Sequence, residues 1–155
     1  MQFCNMDNLN FPKFEFSTKI KENKSYIFDP IRKKWLVLTS EEWVRQHCIQ
    51  YFIKTKNIPL GLIQVEKKLS VNLNPKRYDI VVYNRNKTIA VLVECKAPSI
   101  QLNQKTFDQI ARYNSVLKSE YLMLTNGLNH FFCKMDYKKG KYVFLPDLPV
   151  NKLSE

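Results

Sequence analysis

Three side chains that could act together on one substrate lie within a single stretch of this sequence, residues 77–96. Asp79 stands near its start, and Glu94 and Lys96 stand at its end. Two β-branched, apolar segments flank a polar turn at residues 84–87, so the stretch is predicted to be a β-hairpin. Side chains alternate between the two faces of a strand, and Glu94 and Lys96 are therefore expected on the same face.

The pairing expected for this hairpin brings its two acids close together. If Tyr83 pairs with Thr88, then Asp79 lies opposite Leu92. Asp79 and Glu94 are then diagonal neighbours on one face, with Cβ atoms about 7–8 Å apart. Two carboxylates at this spacing suit one shared divalent cation.

Two carboxylates beside a lysine are typical of a magnesium site that works on phosphodiesters. Mg²⁺ takes hard oxygen ligands, keeps several waters and is usually held by one or two carboxylates. Next to a phosphodiester it offsets the developing charge and lowers the pKa of a bound water, and a lysine can orient that water or neutralise the phosphate. The alternative is that Asp79, Glu94 and Lys96 are solvated charges at strand ends, because an Asp followed by [DE]-x-Lys is frequent by chance.

A helix that precedes the hairpin brings a further acid. Thr39 is the expected N-cap and Glu42 occupies the third helical position, which together form a capping box. Apolar residues at helical spacing extend this helix to about Lys54. Glu42 is therefore either a cap of the helix or a further acid near the cation. His47 lies on the apolar stripe without a second ligand, and we expect it in the core rather than on a metal.

A second helix follows the hairpin, from about Gln104 to Leu117, with Asn103 as its N-cap. Gln109 and Tyr113 are four residues apart and therefore adjacent on one face of this helix. They are either ordinary surface residues or a pair that holds a phosphate or a water at the site.

The remaining segments complete an α/β pattern, in which a β-rich lead-in is followed by a helix, three strands, the second helix and further strands. Strands are expected at Phe14–Ile20, Ser25–Phe28, Trp35–Leu38, Ile63–Val71, Arg77–Tyr83, Ile89–Cys95, Tyr121–Thr125, His130–Met135 and Lys141–Leu145. Pro75 marks residues 72–76 as a loop. We divide the chain into a partly loose lead-in with a short hairpin at 1–25, a main domain at 26–148 and a tail at 149–155.

Composition favours a nucleic-acid partner and excludes two nucleotide-binding classes. The chain has 155 residues, enough for one domain with its own core. Its 25 lysines and arginines against 14 acids give a net charge of +11, which attracts polyanions, although solubility alone is another reason for such a charge. The three glycines form neither a P-loop nor a dinucleotide-binding motif, so no ATP site is expected in this chain.

Cysteine usage and hydropathy indicate a cytoplasmic protein. Cys4, Cys48, Cys95 and Cys133 are far apart in the sequence and form no C-x-x-C pair, so we expect reduced, buried thiols. The first ten residues lack the apolar segment of a signal peptide. Apolar runs stay well below the ~20 residues of a membrane span, so we expect no membrane partner.

Taken in order, these motifs resemble the PD-(D/E)xK nuclease superfamily. The shared elements are a helical acid, a strand Asp, a Glu-x-Lys and a Gln-to-Tyr element that resembles the Q-h-x-x-Y of the RecB-like branch. The runs TSEEWVRQH, DIVVYN, VECKAP, FDQIARYN and LTNG resemble the nuclease domain at the N-terminus of the type I restriction enzyme R subunit, over about residues 26–148. Tyr78 stands where the name of the motif has proline.

The resemblance implies a three-layer α/β/α, restriction-endonuclease-like core around a mixed central sheet. It also implies cleavage of DNA that depends on Mg²⁺, with Mn²⁺ as a substitute. The metal ligands would be Asp79, Glu94 and the backbone carbonyl of Cys95.

The resemblance also assigns roles to the other motif residues. Lys96 would assist the water nucleophile, and Glu42 would be an acid in the outer shell of the metal. Gln109 and Tyr113 would contact the DNA backbone or waters in the active site.

Three functions follow as alternatives. The leading one is a metal-dependent DNA endonuclease, for restriction or for repair. The second is a non-catalytic DNA-binding module, or a nuclease subunit that acts only within a larger restriction or repair complex. The third is a structural or interaction protein in a larger assembly, for which the basic charge is incidental. Type I R subunits carry an ATP-driven motor, so a motor or specificity subunit is an expected partner, besides DNA and a second copy of the chain in a homodimer.

Overall fold

Two sheets and two main helices make up the described chain. The computed structural model describes residues 6–71 and 74–149, leaving out the side chains of Ser70, Val71, Asn74 and Tyr113. The strands are β1 (Thr18–Lys21), β2 (Lys24–Asp29), β3 (Lys34–Val37), β4 (Ile63–Val71), β5 (Asn74–Tyr83), β6 (Ile89–Cys95), β7 (Tyr121–Thr125), β8 (His130–Asp136) and β9 (Lys141–Leu145). The helices are α1 (Ser40–Gln50) and α2 (Gln104–Leu117).

The larger sheet is mixed, as the sequence predicts. Its strand order is β4-β5-β6-β7-β8-β9. The pair β6–β7 is parallel, and the other neighbours are antiparallel. Helix α2 forms the crossover that parallel neighbours require.

The helices cover opposite faces of this sheet, which confirms the three-layer α/β/α core. Alternate side chains of the central strands sort into two buried clusters. One cluster faces α1 and includes Val44, Ile80, Val82, Val91 and Val93. The other faces α2 and includes Val81, Leu92, Phe107, Ile110, Leu122 and Leu124.

The register of the β5–β6 hairpin differs from the expected one. Val81 pairs with Leu92, so the predicted placement of Asp79 opposite Leu92 is wrong. Continuing the observed register places Asp79 opposite Glu94, which makes the two acids direct neighbours across the strand pair rather than diagonal ones.

An irregularity near the turn causes this shift. The ladder changes register between Val82 and Tyr83, and Tyr83 pairs with Ile89. The Asn84 side chain donates to the Thr88 hydroxyl at 3.0 Å, and the Asn84 N–H donates to the Thr88 carbonyl at 2.8 Å. Thr88 therefore closes the turn instead of pairing with Tyr83 as predicted.

The β4–β5 hairpin is longer than the sequence predicts from Pro75. Residues 72–76 are predicted to be a loop, but β5 already begins at Asn74, and Pro75 pairs with Ser70. Proline is tolerated at the start of a strand, where a ladder donor is not required. Lys76 consequently lies within a strand, while residues 72 and 73 lie outside the described part.

The lead-in forms an antiparallel sheet in the order β1-β2-β3 that is tied to α1. The predicted boundary between residues 25 and 26 falls within β2. Asp29, at the end of β2, is fully buried and accepts hydrogen bonds from Arg32 Nε at 2.7 Å and from Gln46 Nε2 at 3.0 Å. Residues 150–155, most of the predicted tail, lie outside the described residues.

Both helices begin at their predicted caps. The Thr39 hydroxyl accepts from the Glu42 N–H at 3.1 Å, and Asn103 Oδ1 accepts from the Thr106 N–H at 3.0 Å. Helix α1 ends at Gln50 and continues as a π-helical turn over Tyr51–Thr55, so the predicted end near Lys54 falls in that turn.

Candidate active site

Asp79 lies in the middle of β5, beside the end of β6, where α1 packs against the sheet. It is 8% exposed. Its Oδ2 accepts from the Cys95 N–H at 2.8 Å, and its Oδ1 accepts from Arg45 Nη2 at 2.8 Å. A backbone amide and a guanidinium therefore fix the orientation of this carboxylate from two sides.

The backbone around Asp79 departs from a regular strand pair. On the neighbouring strand, Glu66 adopts a left-handed conformation with φ of 56°, which is uncommon for a residue other than glycine. The β4–β5 register includes Val65 and Lys67 but skips Glu66, the residue opposite Asp79. This bulge-like break frees Asp79 from the regular ladder and lets Arg45 of α1 reach it.

Glu94 is the second carboxylate of the site. It is half-buried at the end of β6. Burial, and then repulsion by Asp79, raise the pKa of Glu94 to about 7, although Lys76 and Lys96 act in the opposite direction. The charged form of Glu94 is therefore disfavoured, and a bound cation would relieve both causes.

Lys96 lies directly beyond the pair of acids, as the sequence predicts. Its N–H donates to the Thr125 carbonyl at 2.8 Å, which continues the parallel contact between β6 and β7. Its charge acts on Glu94 and also on Glu41.

Lys76 is a second lysine at the site, and the sequence reasoning missed it. Burial lowers the pKa of Lys76, and attraction by Glu94 and Asp79 opposes that shift. Its Nζ lies 5.0 Å from the centre of the Tyr78 ring. The alternating pattern of β5 could have revealed it, but Pro75 marked this segment as a loop.

Glu42, the predicted outer-shell acid, is deeply engaged in a buried network. It is 6% exposed, forms an ion pair with Arg45, and accepts from Arg32 Nη2 at 2.7 Å and from Gln46 Nε2 at 2.9 Å. Only half of the capping box forms, because two arginines and an amide take up the Glu42 carboxylate and the Thr39 N–H donates to the Val37 carbonyl instead.

Glu41, the residue before Glu42 in α1, is the helical acid that interacts with the charged groups of the site. Burial, and then repulsion by Asp79, raise the pKa of Glu41. Its carboxylate lies 3.2 Å from Arg45 Nη2 and its side chain is 47% exposed, so it is accessible from solvent. The sequence did contain an indication of this role, because Glu41 and Glu42 are two consecutive acids in the first turn of α1.

Arg45 connects the acids of the site, and nothing in the spacing of α1 singled it out. Its Nη2 lies 2.8 Å from Asp79 and 3.0 Å from Glu66. Burial alone would lower the pKa of Arg45, but attraction by Asp79 and Glu42 outweighs it and the pKa is raised. Arg45 is therefore a permanent cation that positions Asp79.

The two predicted DNA-contacting residues belong to α2. Gln109 is exposed, and its side chain makes no hydrogen bond to any described residue. The Tyr113 side chain lies outside the described part of the structure. Their contact with DNA stays a prediction.

The donor set fits a hard divalent cation with few protein ligands. Among residues 6–71 and 74–149, no three His, Cys, Asp or Glu side chains lie close enough to hold a metal together. Mg²⁺ needs only one or two carboxylates and completes its shell with water. Asp79 and Glu94 meet that requirement, and the Cys95 carbonyl follows directly in the chain.

Both histidines serve the packing, as expected for His47. His47 is 7% exposed, donates from Nδ1 to the Trp43 carbonyl at 2.8 Å, and packs against the rings of Trp43 and Phe16. His130 lies 2.7 Å from the Thr125 hydroxyl through its Nδ1.

Three of the cysteines are free and buried, as predicted: Cys48, Cys95 and Cys133. Although far apart in the sequence, Cys48 and Cys95 meet with 3.7 Å between their sulfur atoms. Hydrogen bonding to Cys48 and burial raise the pKa of the Cys95 thiol. Cys4 lies outside the described residues.

Most of the chain matches a known family. The model of the type I restriction enzyme R protein N-terminus matches residues 40–149. The chain belongs to this family. The match begins at the first residue of α1 and ends beyond β9, so it contains the site residues Glu41, Glu42, Arg45, Lys76, Asp79, Glu94 and Lys96. The R-protein N-terminal family is a nuclease-like module, which agrees with the resemblance found from the motifs.

No curated protein sequence matches the chain. In the described part of the chain, neither helix has the length and apolar character needed to cross a bilayer.

Proposed function

We propose that this R-protein N-terminal family member is a Mg²⁺-dependent deoxyribonuclease that hydrolyses phosphodiester bonds. The observation that carries the proposal is the convergence of Asp79, Glu94 and Lys96 at one end of the sheet. The pKa of Glu94, raised to about 7 by burial and by Asp79, marks this end as a place where a cation is favourable.

Asp79, Glu94 and the Cys95 carbonyl would hold the cation, with Mn²⁺ as a substitute for Mg²⁺. When bound, the cation supplies Lewis-acid stabilisation of the phosphodiester. Asp79 needs little reorganisation to serve, because the Cys95 N–H and Arg45 already orient its two oxygens.

The lysines would act on the substrate. The Lys96 ammonium neutralises charge on the phosphate and orients the attacking water. Lys76 adds a second ammonium on the same side of the acids, as its interaction with Glu94 indicates. Glu41 rather than Glu42 supplies the outer acid, since the Glu42 carboxylate is occupied by Arg32, Arg45 and Gln46.

DNA is the favoured substrate because the chain is basic as well as related to a restriction enzyme. The net charge of +11 attracts the phosphate backbone. Gln109, which is exposed on α2, and Tyr113 are proposed to contact that backbone. A motor or specificity subunit is the proposed protein partner, given the family to which the chain belongs.

The test is cleavage of supercoiled, linear and branched DNA with Mg²⁺, Mn²⁺ or EDTA. Wild type is compared with Asp79→Ala and Lys96→Ala, and Lys138→Ala in an exposed turn is the matched control. Metal-dependent cutting that is lost in both site variants and kept in the control supports the proposal. DNA binding without cutting on any substrate would instead favour a non-catalytic binding module.

A further inference from the structure

An aromatic pocket opens on the α2 face of the sheet, close to the candidate active site. It has a volume of about 180 Å³ and is lined by Leu102, Asn103, Gln104, Phe107, Leu124, Phe131 and Phe144. Two of its rings are unusually accessible, with Phe131 40% and Phe144 52% exposed. Exposed rings grouped around a cavity call for a ligand or a partner.

The strand register connects this pocket to the catalytic acids. Glu94 on β6 pairs with Leu124 on β7, and Leu124 pairs with Phe131 on β8. Paired residues of adjacent strands share a face and lie about 5 Å apart. Phe131 therefore stands about 10 Å from Glu94, or about three nucleotide steps along one strand of a duplex.

We propose that the aromatic pocket receives one unstacked base of the DNA substrate, close to the phosphate that is cut. This inference rests on the proposed function and specifies its substrate class, DNA with unpaired nucleotides. The cavity is smaller than the ~300–1,000 Å³ of sites for drug-sized ligands, and it suits a single ring system.

The walls of the pocket have the chemistry that a base requires. Phe107 and Phe144 have ring centres 5.2 Å apart at an angle of 49°, and Phe131 and Phe144 have ring centres 6.3 Å apart at 68°. Rings held in this way offer faces for stacking, which tolerates every base because each has a π-face.

Two amides at the edge of the pocket supply polar groups. Asn103 Oδ1 accepts from Thr106, and Gln104 Nε2 donates to Asp108 and Tyr142. The opposite ends of these amides, Asn103 Nδ2 and Gln104 Oε1, bond to no described residue. One donor and one acceptor thus remain for the edge of a base.

Unpaired DNA is favoured over duplex because a paired base must first leave its stack, which costs free energy. A bubble, a mismatch or a single-stranded flap presents the base without that cost. We expect at least tenfold tighter binding of such DNA than of a fully paired duplex of the same length, in line with the effect of one stacked base.

The experiment measures binding without divalent metal, so that cleavage plays no part. Fluorescence anisotropy gives the dissociation constants for a bubble duplex and for a paired duplex, and 2-aminopurine in the bubble reports stacking by its quenching. The variants are Phe131→Leu and Phe144→Leu, which keep apolar volume and remove the π-face. Trp35→Leu, an exposed aromatic on β3, is the matched control.

The expected result is that wild type and Trp35→Leu prefer the bubble at least tenfold and quench the probe. Phe131→Leu and Phe144→Leu should lose most of that preference while they bind paired duplex as wild type does. Equal binding of both DNAs by wild type, or a preference that survives both substitutions, would overturn the proposal. Sedimentation that shows a dimer broken by Phe131→Leu would assign the surface to a protein contact and overturn it as well.

The two proposals fail in different ways. A chain that never cuts DNA can still show the base preference, since no metal is present. A chain that cuts DNA with Mg²⁺ but binds both DNAs equally refutes the pocket alone.

Discussion

The two faces of the central sheet are held by different chemistry. On the α1 face a network of buried charges, made of Asp29, Arg32, Glu42 and Arg45, accompanies the apolar cluster. On the α2 face the buried polar anchor is a neutral amide, Asn114, which is fully buried. Its Oδ1 accepts from the Ser119 N–H and hydroxyl, and its Nδ2 donates to Tyr137.

This difference separates the tasks of the two helices. A buried ion network is costly to assemble and gives little net stability, but it holds each group in one place. Helix α1 uses it to fix Asp79 through Arg45. Helix α2 is packed by neutral contacts, and the accessible rings on its face of the sheet lie about 10 Å from Glu94.

The largest effect on stability is expected on the α1 face. Arg45→Met leaves Asp79 and Glu42 without their shared cation, and breaking a buried pair in this way costs about 3–5 kcal/mol. Urea denaturation monitored by circular dichroism measures the change. Arg112→Met on the exposed side of α2 is the control and should change stability by less than about 0.5 kcal/mol. Equal small effects of both substitutions would show that Arg45 does not anchor the α1 face.

On the α2 face a smaller loss is expected. Asn114→Ala removes three hydrogen bonds and leaves the buried Ser119 N–H without its acceptor, at a cost of about 2 kcal/mol. Because the amide is neutral, the loss should be the same at low and high salt. A strong dependence on salt, measured by denaturation across a NaCl series, would contradict the neutral character of this face.

Lys76→Ala tests whether the candidate site includes a second lysine. We expect DNA cleavage about tenfold slower, because one cation near the phosphate is lost while Lys96 remains. Single-turnover rates with Mg²⁺ are compared with those of Lys134→Ala, an exposed lysine on β8. If both variants cut at the wild-type rate, Lys76 is only a packing residue.

The smallest effect concerns pH and the α1 face. Burial lowers the pKa of His47 below its ordinary value near 6.5, with the bond to the Trp43 carbonyl opposing the shift. Between its two pKa values the unfolded chain binds a proton that the folded chain does not. Stability is therefore expected to fall as the pH drops below about 6.5, the ordinary pKa of His. Denaturation of His47→Gln at pH 8, 6 and 5 should show a shallower fall than wild type, and an identical slope would exclude His47 as a cause.

The secondary structure was accessible from the sequence because each signal is local. Alternation along β5 and β6, and the caps Thr39 and Asn103, depend on neighbouring residues only. The register of the β5–β6 hairpin was predicted wrongly because it depends on how two strands pair. The irregularity between Val82 and Tyr83 shifts the register, and neither residue type indicates an irregularity in the sequence.

The candidate site was predictable where its residues follow one another in the motif. Asp79, Glu94 and Lys96 lie together as expected from their strands. Arg45 and Glu41 were missed because their role depends on α1 packing against the middle of β5, a contact between segments that are distant in the sequence. Lys76 was missed because Pro75 led us to predict a loop at residues 72–76, where β5 in fact begins at Asn74.

The most direct measurement is a time course of plasmid cleavage with Mg²⁺ by wild type, Glu94→Gln and Glu120→Gln. Glu120 is an exposed carboxylate that accepts from Asn84 at 2.9 Å and serves as the matched control. The account predicts cutting by wild type and by Glu120→Gln, no cutting in EDTA, and a rate at least ~10²-fold lower for Glu94→Gln. Cutting by Glu94→Gln at the wild-type rate, or undiminished cutting in EDTA, would contradict the site built on Asp79 and Glu94.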